Sequence, residues 1–137
     1  VHVLLDYVQR DTLKEEVIKM RSRMRQELNK SNADQFDIKQ GEGGVVDIEF
    51  LVQYLVLLHA PEQSDLLRYS DNIRQLDALR DASILTAQDT DVLADAYRAY
   101  RVRMHLLSLA GEPTLAAADE FELERAQVSE LWKEQLM

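Results

Sequence analysis

Apolar and polar positions follow one another along most of this chain with the period of an amphipathic α-helix. Leu13, Val17, Met20, Met24 and Leu28 recur at steps of four, three, four and four, the spacing that lines one helix face. Thr12 followed by Glu15 has the form of a capping box at the start of that stripe. Residues 45–58 are apolar except at Asp47, Glu49 and Gln53, which predicts a central helix packed on several sides. A buried strand is the rival reading, but fourteen residues is long for a strand. Ser70 is placed to cap a helix carrying Ile73, Leu76 and Leu79. Thr86 is placed to cap another with Leu93, Ala96, Tyr97, Tyr100, Met104 and Leu107 on one face, stopped by Gly111 and Pro113. Asp119 with Glu122 has the form of a last start signal, ahead of Val128, Leu131 and Trp132. Residues 36–40 can be extended, but no alternating strand is evident. The pattern predicts an all-α helical bundle of about five major helices over residues 11–137, with 1–10 a linker or the end of a preceding domain.

Composition adds limits. The 137 residues are 46% hydrophobic and 30% charged, enough for one domain with a real core. A formal charge of −9 argues against nucleic acid or an anionic membrane as partner, since both attract basic surfaces. No apolar run reaches membrane-spanning length and no signal peptide opens the sequence. Zero cysteines remove thiolate chemistry and cysteine metal sites, and fit a cytoplasmic setting.

Candidate chemistry is concentrated in one place. Gly41-Glu42-Gly43-Gly44 holds three of the four glycines and feeds the central helix. A helix start of this kind can present free N–H groups to a phosphate or carboxylate, with Lys39 adding charge. The alternative is a tight chain reversal, in which a positive φ at Gly44 would make Gly44→Val costly. Asp47 falls in the first helical turn, where the dipole favours a carboxylate. Glu49 has no such reason to sit in an apolar helix, which predicts a basic partner from the first or fifth helix, or a place at a domain interface. Lys14, Lys19, Arg21, Arg23 and Arg25 fall mostly off the first apolar stripe and are expected on a solvated face. No Walker phosphate loop occurs, and His2, His59 and His105 are too scattered to form a metal-binding motif.

Residues 36–58, with Met20-Arg-Ser-Arg-Met24 upstream and Tyr69-Ser-Asp-Asn-Ile-Arg74 downstream, resemble the bacterial glutamine synthetase adenylyltransferases. The similarity runs from about Asp11 to the C-terminus. Such enzymes are large and bifunctional, each half being a nucleotidyltransferase domain followed by a helical domain. One half removes AMP from a tyrosine of glutamine synthetase; the other attaches it using ATP and Mg²⁺; the PII signalling protein and glutamine regulate both. Val46-Asp-Ile-Glu-Phe50 and the 69–74 block resemble the adenylylating, C-terminal half. The family's catalytic Gly-Ser motif is absent here, and Asp89-Thr-Asp91 reads as a helix start rather than the metal-binding Asp-x-Asp. The resemblance therefore implies a helical accessory domain with no catalytic residue, no metal site and no cofactor of its own, ATP and Mg²⁺ belonging to the parent enzyme. Lys39, Gly41, Gly43, Gly44, Asp47 and Glu49 are its candidates for the nucleotide site or domain junction. Implied partners are the nucleotidyltransferase domain of the same polypeptide, glutamine synthetase and PII. The alternative is an interaction bundle that docks PII or glutamine synthetase without a role at the nucleotide site.

Overall fold

The segment that is apolar nearly all round becomes the helix on which the others assemble. In the computed structural model, which describes the backbone of residues 2–137 and the side chains of 11–137, α2 (Val45–His59) is contacted by α1 (His2–Leu28), α3 (Asn72–Asp81), α4 (Ala87–Leu109) and α5 (Glu122–Leu136). Ile48, Leu51, Val52 and Leu55 of α2 are fully buried, against Leu76 and Leu79 of α3, Leu93 and Tyr100 of α4, and Val128 and Leu131 of α5. Burying this contiguous apolar surface is the main stabilising term. The fold is the expected all-α bundle. The extended stretch expected at 36–40 is in part β1 (Gln35–Asp37), but its antiparallel partner β2 (Leu115–Ala117), with Phe36 opposite Ala116, was not evident in the pattern. A strand of three residues is too short for alternation to register.

Thr86 caps α4 as expected, its Oγ1 accepting from Asp89 N at 3.0 Å. Asp89 therefore lies in the first turn of α4, as the helix-start reading of Asp89-Thr-Asp91 requires. The chain leaves α4 through Gly111 at φ 72°, with Glu112 N donating to Leu107 O, a Schellman closure. Three starts need correction. Thr12 lies inside α1, not at its beginning. Asp71, not Ser70, caps α3 by accepting from Arg74 N, because the carboxylate there stands three residues before a free amide. Helix α5 begins after Phe121, held at φ 60°, and not from an Asp119 cap. The expected boundary at residues 1–10 falls where side chains are not described.

The stripe on α1 is also displaced. Met20 and Leu28 face solvent, whereas Leu13, Val17 and Ile18 pack at the edge of the core. Among the described side chains of α1, the fully buried one is Arg21, contrary to the solvated face expected for the basic residues.

Candidate functional site

The turn before α2 is organised by a buried aspartate. Asp37, at the end of β1, accepts from the backbone N–H of Lys39 and Gln40 through Oδ1 and from Lys30 N through Oδ2, all at 3.0–3.1 Å. This closes the chain so that Gly41 N donates to Asp37 O, Gly44 N to Gly41 O, Val45 N to Ile38 O and Val46 N to Lys39 O. Gly43 N donates to Asp47 Oδ2 at 2.7 Å. Most of the amides that a helix start offers to an anion, those of Gly43, Gly44, Val45 and Val46 among them, are thus already bonded within the chain.

Close approach explains the glycines. A Cβ on Gly41 would meet Asp37 O and the Phe36 ring at 2.5 Å. At Gly43 it would meet the Arg125 backbone, also at 2.5 Å, and here φ is 80°. Gly44 has an ordinary φ of −86°; its side-chain space is taken by Ile38 O. The positive φ expected at Gly44 belongs to Gly43. The Tyr100 hydroxyl, buried at the centre of the bundle, donates to Gly43 O at 2.8 Å. Burial, with a smaller contribution from Glu124, raises the pKa of that hydroxyl far above the ordinary tyrosine value. It therefore stays a donor.

Asp47 joins this turn to α1. Its Oδ1 accepts from Arg21 Nε and, at 2.7 Å, from Arg25 Nη2, while Arg21 also donates to Gln40 Oε1 and Gln40 O. Both side chains of the central pair are about 1–2% exposed. A buried carboxylate and guanidinium are tolerable only with such complete partnering. The first-helix arginine predicted for Glu49 thus serves Asp47 instead.

Glu49 is half-buried and, among the described residues, has no ion-pair partner. One turn on, Gln53 Nε2 donates to Gln75 Oε1 at 3.1 Å, and Gln75 Nε2 donates to Tyr69 O at 3.0 Å. Residues i and i+4 share a helix face, so Glu49 stands on the face that meets the 69–74 block. There the Arg68 and Arg74 guanidinium groups lie 5.5 and 5.4 Å from the Tyr69 ring centre, within cation–π range. A cleft of about 430 Å³ opens beside them, lined also by Asp65, Asp77 and Asp81. Two sequence blocks far apart in the chain therefore meet on one surface.

Residues 11–134 match the family described as GlnD PII-uridylyltransferase. The chain belongs to that family. Its curated relatives include proteins named bifunctional glutamine synthetase adenylyltransferase/adenylyl-removing enzyme: 44% identical over 126 residues in Nitrosococcus oceani, and 40% over 136 residues in Pseudomonas aeruginosa. Each match covers 90% of this chain but only 13% and 14% of the relative. The resemblance read from the 20–24, 36–58 and 69–74 blocks agrees with these relatives. No helix among the described residues is long and apolar enough to cross a membrane.

For this member of the GlnD PII-uridylyltransferase family, the structure gathers Gly41, Gly43, Gly44 and Asp47 into one bonded turn, leaves Lys39 exposed at its rim, and sets Glu49 on a different face. Residues that organise the site but were not singled out are Arg21, Gln40, Gln75 and Tyr100. Arg21 alone carried a signal, since it stands four residues after Val17 and so on the buried side of α1. The amides of Gly41, Gly43, Gly44, Val45 and Val46 are bonded within the chain and so are not offered to phosphates, and among the described residues no group of three His, Cys, Asp or Glu is placed to hold a metal ion.

Proposed function

We propose that this chain is the helical accessory domain of a glutamine synthetase adenylyltransferase/adenylyl-removing enzyme, in the half that transfers AMP from ATP to a tyrosine of glutamine synthetase. ATP and Mg²⁺ are held by a nucleotidyltransferase domain elsewhere in that polypeptide, which works in the cytoplasm. The carrying observation is the Gln53–Gln75–Tyr69 hydrogen-bond chain, which joins the 69–74 block to the α2 face that carries Glu49 at helical spacing. In this reading the face closes on the catalytic core. The Asp37 and Asp47 networks hold the glycine turn rigid so that α2 presents Glu49 at a fixed position, and Glu49 supplies a carboxylate to a basic group across the junction.

The experiment is paired. Glu49→Gln in the full-length polypeptide is expected to lower AMP transfer to glutamine synthetase by roughly ten- to a hundredfold, the size of one lost charge-assisted contact in the transition state. The melting temperature of the 137-residue chain should not change. Unaltered transfer removes Glu49 from the junction. Normal transfer with a lost response to PII would favour the docking bundle instead.

A further inference from the structure

Helix α4 is apolar on two sides. Leu93, Ala96, Tyr100 and Leu107 face the core, while Val102, Leu106 and Leu109 are 60%, 54% and 73% exposed. At 100° per residue the latter three fall within about 60° of one another, and lie roughly 140° around the helix from the core face. Scattered exposed leucines need no explanation, but a stripe at helical spacing opposite the core marks a helix made to lie between two layers. The charge there also departs from the rest of the chain. Between Asp95 and Glu112 there is no carboxylate, whereas Arg98, Arg101, Arg103 and His105 all fall in this stretch of a chain with net charge −9. Arg98, Arg101 and His105 flank one edge of the stripe at helical spacing.

We propose that the C-terminal half of α4 is a second contact surface, covered in the full-length polypeptide by another part of the same polypeptide that presents apolar side chains edged by carboxylates. Size decides the occupant. Three side chains offer on the order of 300–400 Å², well below the ~800 Å² per partner of a stable complex between free molecules. Within one polypeptide the effective concentration reaches ~mM, so a small apolar contact suffices. The chain spans 12–14% of the length of its curated relatives, which leaves ample polypeptide to supply the cover. This inference rests on the chain's being one part of such a polypeptide, and is independent of AMP transfer.

The chain has no cysteine, so a single thiol can report cover. Leu106→Cys and, separately, Leu109→Cys are introduced into the 137-residue chain and into the full-length polypeptide, and maleimide labelling of the residue 102–111 peptide is followed by mass spectrometry. Circular dichroism checks that each variant is folded, the second variant serving if the first is not. Labelling is expected to be fast in the 137-residue chain and about tenfold slower or more in the full-length polypeptide, with partial recovery in high salt as the charged edge is screened. Equal rates in the two forms overturn the proposal. So does slow labelling of the 137-residue chain that strengthens with concentration, which assigns the face to a second copy, or protection that appears only on adding glutamine synthetase. Because labelling is the readout, loss of the catalytic reading through an unaffected Glu49→Gln variant leaves this result interpretable.

Discussion

Asp47 and Glu49 stand two positions apart in the same helix, yet only one of them is tied into the interior. Asp47→Asn keeps the shape but leaves the Arg21 guanidinium buried without its counter-charge, a loss typically worth about 3–5 kcal/mol. Urea unfolding of the 137-residue chain should show it, while Glu49→Gln should stay within ~0.5 kcal/mol, as expected of a side chain with no ion-pair partner among the described residues. The sequence pattern offered Glu49 a basic partner from the first or fifth helix, or a place at a domain interface; the first-helix arginines meet Asp47 instead. The reason is physical: the choice depends on how α1 is rotated against α2, and the buried Arg21 replaces an apolar residue in the very stripe that would define that rotation. Glu120 gives a residue-scale test with pH. Its carboxylate accepts from Ala117 N at 2.9 Å and from Arg103, and these contacts hold its pKa below the ordinary glutamate value. A lowered pKa contributes stability above the unfolded value, and that contribution disappears as pH falls through the folded one. The melting-temperature gap between the wild-type chain and Glu120→Gln should therefore be present at neutral pH and close below about pH 4. The effect will be small, because the pair is partly solvated.

At the scale of the elements, two glycines share a left-handed backbone but not an environment. Gly43 and Gly111 have φ of 80° and 72°, yet a Cβ would strike the Arg125 backbone at the first and meet nothing within 4 Å at the second. Gly111→Ala should cost only the conformational term, about 1–2 kcal/mol. Gly43→Ala should cost clearly more, since the turn or α5 must also shift; paired melting curves decide. Ser83, at φ 60° where α3 ends, is the converse case. Its N–H donates to Arg80 O and that of Ile84 to Leu79 O, the same closure that glycine provides after α4. Element existence was legible because apolar spacing is set by the helix period itself. Helix starts were less so, because Ser70 and Asp71 offer adjacent side chains that can each cap, and α5 begins after Phe121 with no side-chain cap at all.

For the molecule as a whole, the expectation is a single cooperative thermal transition with the circular dichroism of a helical protein, since the core is one contiguous cluster about α2. Strand-dominated spectra or stepwise unfolding would contradict it. The 137-residue chain by itself should transfer no AMP, and metal-dependent incorporation of labelled AMP by the purified chain would show otherwise. What remained illegible at this scale was the joining of distant parts: Gln53 to Gln75, Tyr100 to Gly43, β1 to β2. Polar pairings of this sort have no periodicity and arise only when helices are already placed.

The seating of the glycine turn bears on how the protein is made. Ile38 N donates to Thr114 O, Gly43 rests on the Arg125 backbone, and the Arg125 guanidinium lies 4.0 Å from the Phe36 ring centre. A chain emerging from the ribosome has the turn and α2 long before it has these supports, and α2 must meanwhile keep its apolar surface from other partners. Translation that stops short of Thr114 would leave an unfinished turn beside an unsheltered hydrophobic helix, a natural target for chaperones and proteases. The turn therefore gains its full support only when β2 and the first residues of α5 have been made.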